Sequence, residues 1–361
     1  MATRRRSSET DEQRRTRLER WTQAVVTREI LLGRVVETVR QQAGNEWVRR
    51  VAIPVIERAA ARLSTFEPRG QDVTPSRYPQ IASIQAGIAA EIDQGAARLR
   101  VSLRDQLLRV ADNENEWVRR TGAEALGLPA PPPRVSVPAP VNLEQHPFLG
   151  KGFDRWFGDM VQGPARDRVG AFLQQGLQRG LTTDEIVRGL RGTRANGYAD
   201  GILTGKSRHE VRALARTAGT AWSSRRREEA LRGLGVGQVV WVSVLDARTS
   251  KQCLLLDGTV FEVDDGPRPP IHPNCRSNVA PWAGEMFGTR ASEDGPVPAN
   301  LDGRAWLRRA SAERQDLLLG KRLGRAFRKG EVDLDDIVGD DLEPLTIEEI
   351  IAKGLKVAQI P

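Results

Sequence analysis

The chain opens with apolar positions spaced for helices. Leu18, Trp21, Val25, Leu32, Val35 and Val39 recur at three, four and seven residues, one stripe interrupted at Arg28. A second stripe runs Ile81, Ile84, Ile88, Ile92, Leu99, Leu103, Leu107 and Val110. Neither stretch has an interior proline, and each predicts a helix longer than about 25 residues. The hexamer Asn-Glu-Trp-Val-Arg-Arg occurs at 45–50 and again at 115–120. Its flanks barely match, so it reads as two similar helical hairpins or as coincidence, with Trp47 and Trp117 as aromatic anchors of a bundle. Farther on, Val169, Phe172, Leu173 and Leu177 predict a helix that stops near Gly180. Thr182 with Glu185, and Ser207 with Glu210, have the spacing of capping boxes. The second box opens a helix through Val211, Leu214, Ala218 and Trp222, ending near Gly233 or Gly235.

The period then changes. Val240, Val242 and Val244 alternate with Trp241 and Ser243, which predicts a strand, and Thr259–Val263 predicts another. Residues 285–303 are rich in Gly, Pro, Ser and Asp and read as loop. Helical pattern returns at Trp306, Leu307, Leu317–Leu319, Leu323 and Phe327, and Thr346 caps a last short helix. Six prolines within 128–140 remove amide donors and fix φ, so that segment reads as an extended spacer. The expected fold is mainly α with a small α+β lobe. Its parts are an N-terminal α-helical domain (1–127), a proline-rich linker (128–140), a motif domain of helix plus β-hairpin (141–284), a loop (285–303) and a helical C-terminal tail (304–361).

Composition narrows the class. The 361 residues hold 55 Lys+Arg against 47 Asp+Glu and only 5% aromatics, so the core must be aliphatic. No stretch approaches the roughly 20 uninterrupted apolar residues of a membrane span. The arginine-rich start has no apolar h-region and does not read as a secretory signal. Two cysteines exclude a disulfide scaffold and fit a reducing compartment. Residues 151–250 carry 17 basic and 10 acidic side chains. That excess allows non-specific contact with nucleic-acid phosphates, or reflects arginine-rich composition alone.

One constellation carries chemistry. Cys253 and the pair His272 and Cys275 fall in the β-rich lobe, with eighteen residues between Cys253 and His272. Two thiolates and an imidazole at such spacing can hold one zinc, or the cysteines can pack as small hydrophobes beside a hydrogen-bonded histidine. A fourth ligand is not evident: Asp246, Asp257, Asp264, Asp265, a remote residue or water would have to serve. With Glu262 as base, three ligands and water would also suit catalysis. There is no His-Glu-x-x-His, no phosphate loop and no recognisable carboxylate pair, and Gly233–Gly237 precedes a strand instead of following one. His146 and His209 read as surface or capping residues, and Ser243 and Ser250 have no histidine near them in sequence. No catalytic residue is expected.

These residues carry a resemblance. A helix ending Arg216-Thr-Ala-Gly-Thr-Ala-Trp222 leads to Trp241-Val-Ser-Val-Leu-Asp246, Arg248-Thr249-Ser250 and Cys253. Leu256-Asp257-Gly258 and His272-Pro273-Asn274-Cys275-Arg276 follow. Together they resemble the head-morphogenesis domain of phage Mu F-type minor head proteins, over about residues 165–283. Trp306-Leu307, Leu319–Leu323 and Leu345–Ile350 resemble the tail that often follows it. In the family the histidine motif usually continues Cys-Arg-Cys, whereas this chain has Ser277, which would remove one thiolate from any metal set. The resemblance implies a non-catalytic, low-copy virion component. Its implied partners are the portal protein, the major capsid or scaffold protein and, non-specifically, packaged DNA. Its place would be inside the head near the portal, after synthesis in the host cytoplasm. Asp246, Arg248, Thr249, Asp257, Gly258, Pro273, Asn274 and Arg276 would organise the lobe's loops, with an Asp246–Arg248 polar network and a turn at Asp257-Gly258. The alternative is a zinc-dependent nuclease or DNA-binding protein using Cys253, His272, Cys275 and the basic 151–250 region.

Overall fold

The computed structural model describes residues 10–66, 79–132, 146–285, 288–355 and 357. It is 65% helical with small antiparallel sheets, the mainly α fold with a small α+β part that the periodicities predict. In chain order, α1 (Asp11–Trp47), α2 (Ile53–Leu63), α3 (Pro79–Ala125), α4 (Phe153–Phe157), α5 (Gly163–Gln178), α6 (Thr183–Arg191) and α7 (Arg208–Gly233) precede any strand. Then come β1 (Gln238–Val242), α8 (Lys251–Leu256), β2 (Val260–Glu262), β3 (Asn278–Pro281), β4 (Thr289–Ser292) and β5 (Gly295–Pro298). Helices α9 (Gly303–Arg309), α10 (Ala312–Leu319), α11 (Lys321–Arg328), α12 (Leu334–Ile337) and α13 (Ile347–Ala352) complete the chain. Among the described residues, no helix is long and apolar enough to cross a membrane.

Two compact units are present, and neither is one continuous stretch of chain. One comprises residues 1–34, 111–136 and 223–361; the other comprises 35–110 and 137–222. Most of the spacer expected at 128–140 lies outside the described residues.

The second unit is helical throughout. Val39, Trp47 and Val51, Ile88, Leu99 and Leu103, and Phe153, Val169, Leu173 and Val211 are all buried. Trp47 donates its indole N–H to the Leu203 carbonyl at 2.9 Å, so this buried aromatic leaves no polar atom unsatisfied. The apolar stripe of α1 is buried where the sequence reading puts it, at Trp21, Val25, Leu32 and Val39, except at one position: Val35 is 45% exposed and Val36 is buried in its place. Gly219 lets α7 approach closely, since a Cβ there would stand 3.0 Å from Val36 and 3.3 Å from Leu107. Helix α5 ends at Gln178, and the chain turns at Gly180 with φ +71°. Thr182 and Glu185 then form a complete capping box on α6. Ser207 does not cap α7. A π-helical turn, Ile202–Ser207, runs directly into that helix, so no free N-terminal amides await a cap. The Ser207 hydroxyl donates to the Ile202 carbonyl, and Glu210 grips Arg168 at 2.7 and 2.6 Å.

The first unit holds the α+β part. Its three-stranded antiparallel sheet has the order β2-β1-β3, with Val239 opposite Phe261 and Pro281, and Trp241 opposite Val279. Trp21 and Val25, Val118 and Leu231 pack with Val240, Trp241 and Val279 in one cluster that also contains Cys253 and Cys275. An ionic cluster meets it at Val279. Arg227 and Glu114 are both completely buried; Glu114 also takes Arg28 at 3.0 Å, and Arg227 donates to the Val279 carbonyl at 2.9 Å. A second core gathers α9–α13 around Leu245 and Leu254, with Trp306, Leu307, Leu323, Phe327 and Ile350. The loop expected over 285–303 contains the β4–β5 hairpin, paired from Thr289↔Pro298 to Ser292↔Gly295. Its short strands expose alternate residues, and its Gly and Pro content hides it from propensity.

Candidate functional site

The site is built on the ends of β1 and on the turns that meet there. Beyond β1 the chain reverses through Asp246–Ser250: the Thr249 amide donates to the Asp246 carbonyl at 3.1 Å, and the Thr249 hydroxyl donates to the Val244 carbonyl. Ser250 then caps α8 by accepting the Cys253 amide at 3.2 Å. That cap sets Cys253 on the first turn of α8, facing inward and 2% exposed. Helix α8 ends at Leu256, and Gly258, with φ +82°, makes the turn expected at Asp257-Gly258. From the other side, the Cys275 amide donates to the His272 carbonyl at 3.2 Å, closing a tight turn in which Asn274 is left-handed, φ +62°. Asparagine tolerates that conformation better than most residues. Pro273 and Asn274 are exposed, and Pro273 supplies a carbonyl described below.

Three polar clusters result. In the first, Asp246 accepts a two-pronged fork from Arg276, at 2.5 and 2.6 Å, and the Arg248 amide at 2.8 Å. The network is centred on Asp246, with Arg276 as its closer partner; the Arg248 guanidinium also reaches Asp246, at 3.3 Å, from a side chain that is 78% exposed. Burial alone would raise the Asp246 carboxyl, but the Arg276 fork, aided by the Arg248 amide, holds it down at about 2.

In the second, Asp257 is completely buried and accepts Arg290 at 2.8 and 2.9 Å and the Ser243 amide at 2.6 Å. Arg290 lies on β4, inside the segment read as loop, and so escaped the sequence reading. Burial pushes the Asp257 carboxyl up against the pull of that guanidinium.

The third cluster contains Cys253, His272 and Cys275. The two sulfurs are 3.8 Å apart, and His272 Nε2 lies 3.3 Å from Cys253 Sγ and 2.9 Å from the Ser250 hydroxyl. All three candidate ligand atoms lie within 4.8 Å of one another. Ser250, with no histidine near it in sequence, thus has one in space. His272 Nδ1 is 2.8 Å from the Pro273 carbonyl, which can only accept. The Nδ1 proton is thereby fixed, and in the neutral ring Nε2 presents its lone pair to the sulfurs. Cys275 is the thiolate-favouring sulfur, stabilised by a hydrogen bond from Cys253 and, once its ring is protonated, by His272, while the contact with Cys275 pushes Cys253 up. Ser277 stands where the resemblance led to a third cysteine. Its hydroxyl is 3.0 Å from that of Ser243, which bonds the Cys253 carbonyl at 2.8 Å.

Many arginines of the basic middle region are engaged. Arg166, Arg168, Arg216, Arg226, Arg227 and Arg232 each pair with a carboxylate. A cavity of about 640 Å³ in the helical unit is lined by Lys206, Arg208, His209 and Arg212, with Glu210.

Against known families, residues 167–280 match the model described as Phage Mu protein F like protein. The match takes in Cys253, His272 and Cys275 together with Asp246, Asp257 and Arg276, and ends within β3. No curated protein and no solved structure matches the chain.

Proposed function

We propose that this protein, whose residues 167–280 match the family model described as Phage Mu protein F like protein, is a minor head protein that serves head morphogenesis without catalysis. In this reading it is a low-copy virion component that joins the procapsid at the portal vertex, inside the shell, and assists head assembly and DNA delivery. The observation that carries the non-catalytic part is how the motif side chains are spent. Asp246 is bound by Arg276, Asp257 by Arg290 and Ser243, and His272 by Pro273, Ser250 and Cys253. Asp246, held by a bidentate guanidinium, is a poor proton acceptor because its charged form is already satisfied, and Asp257 is sealed from solvent. These groups are arranged to fix loops.

A second reading, non-specific binding of DNA, is favoured by the cavity around Lys206, Arg208 and Arg212. The ion pairs formed by neighbouring arginines weaken it, since a paired guanidinium releases fewer counterions when a phosphate approaches. The two readings are compatible for a protein that faces packaged DNA.

Quantitative mass spectrometry of purified virions and procapsids tests the assignment. The expected result is this chain in both, far below the major capsid protein in copy number, with defective heads when its gene is deleted. Normal heads and unchanged infectivity without it would overturn the reading. Turnover of DNA by the purified protein with added Zn²⁺ or Mg²⁺ would favour the nuclease alternative.

A further inference from the structure

We propose that Cys253 Sγ, Cys275 Sγ and His272 Nε2 form a structural zinc site that ties α8 to the 272–275 turn, with the Ser250 hydroxyl the nearest oxygen for the fourth position. The distances carry the inference. Zinc held at about 2.3 Å from sulfur and about 2.0–2.1 Å from nitrogen in a tetrahedron needs sulfurs about 3.8 Å apart and sulfur–nitrogen separations of about 3.5 Å. The protein has 3.8 Å and, for Cys253 and His272, 3.3 Å. The third pair, Cys275 Sγ and His272 Nε2, lies within 4.8 Å, so a small adjustment of the His272 ring would bring all three donors onto one ion.

The surroundings are those of a metal ligand set. The Pro273 carbonyl fixes the Nδ1 proton and leaves Nε2 to coordinate, the outer-shell arrangement usual for a ligating imidazole. Both sulfurs are buried, and nearby oxygens belong to Ser250 and Ser277. Soft thiolates with one imidazole select zinc over magnesium or calcium. Ser250 is placed by its own role as the N-cap of α8, 2.9 Å from Nε2, so an oxygen stands beside the site without chain movement. The departure at Ser277 removes a thiolate without removing the site, which keeps three protein donors.

The ion would join two short segments, each also held by its own packing. Helix α8 has six residues, and the 272–275 turn makes one backbone hydrogen bond of its own. Metal ligation there is a cross-link between residues far apart in sequence, and it stabilises only the folded state.

The test uses the full chain, purified without chelator. Elemental analysis is expected to give one zinc per chain. Replacement by Co²⁺ should produce a thiolate-to-cobalt charge-transfer band, and chelation should lower Tm reversibly. Cys275→Ser and His272→Ala should lose the band, and Ser250→Ala should keep it with weakened retention of metal. Should Cys275→Ser fail to fold, the wild-type zinc content and cobalt spectrum still decide. Folded protein with no zinc, no cobalt–thiolate band and no response to chelator would overturn the site, as would a Cys253–Cys275 disulfide found by mass spectrometry. None of these readouts depends on head assembly, so this inference and the proposed function fail separately.

Discussion

At the scale of single residues, the lobe's turns are held by charge pairs whose partners are distant in sequence. Asp246 and Arg276 are thirty residues apart and meet through two short bonds. The folded carboxyl titrates at about 2, below the roughly 4 of an unfolded aspartate. The pair's stabilisation is therefore complete above about pH 4 and lost as pH falls toward 2, because the unfolded chain binds the proton first. Asp246→Asn should cost about 1–2 kcal/mol at neutral pH after allowance for partial solvation, and should flatten the stability profile between pH 4 and 2. Urea titrations across that range check it; a variant with the wild-type acid slope would contradict it. Asp257 and Arg290 are a harder case, fully desolvated. Arg290→Met leaves a buried carboxylate without its cation and should cost about 3–5 kcal/mol in the same titration, whereas a loss under about 1 kcal/mol would contradict the pair. The sequence shows Asp246, Cys253, Asp257, His272, Cys275 and Arg276 as a motif. It does not show that Arg276 takes Asp246, that Ser250 meets His272, or that Arg290 belongs at all, because those pairings exist only once β1, β3 and β4 are placed.

At the scale of elements, legibility follows the range of the interactions. The long helices α1 and α3 and the end of α5 are visible because apolar periodicity and a left-handed glycine are local signals. The α6 cap is visible for the same reason: Thr182 donates its amide to Glu185 at 2.8 Å and accepts the Glu185 amide at 3.3 Å. Thr182→Ala should destabilise α6 by about 1 kcal/mol and speed hydrogen exchange at its first amides, with β1 amides unchanged. Unaltered exchange across 183–186 would show that the cap contributes nothing. Ser207 with Glu210 has the same spacing and a different outcome, because the helix begins upstream in a π-helical turn and Arg168 claims the glutamate. Strand β3 is four residues long, buried throughout, and ordered by pairing with β1 forty residues earlier; no alternation can reveal it. The β4–β5 hairpin is short and rich in Gly and Pro, and its residues match a loop in every local respect.

At the scale of the whole molecule, composition and motif carry different information. Basic excess invites a nucleic-acid reading, yet ion pairs absorb much of it, as at Arg168–Glu210 and Arg226–Asp112. Chain order also differs from spatial order. Val118, far upstream of the motif, shares a core with Leu231, Trp241 and Cys253. The stretch of family resemblance thus draws on segments that carry no motif of their own. In the proposed role this protein acts by docking on other head proteins, with the portal as its partner. The most direct measurement is co-elution of the full chain with the portal protein of the same phage on size exclusion, repeated across a salt series. A complex held by apolar burial is predicted to persist at high salt, since screening weakens charge contacts and leaves apolar burial intact. No complex with portal at any salt, together with DNA binding that falls steeply as salt rises, would contradict it.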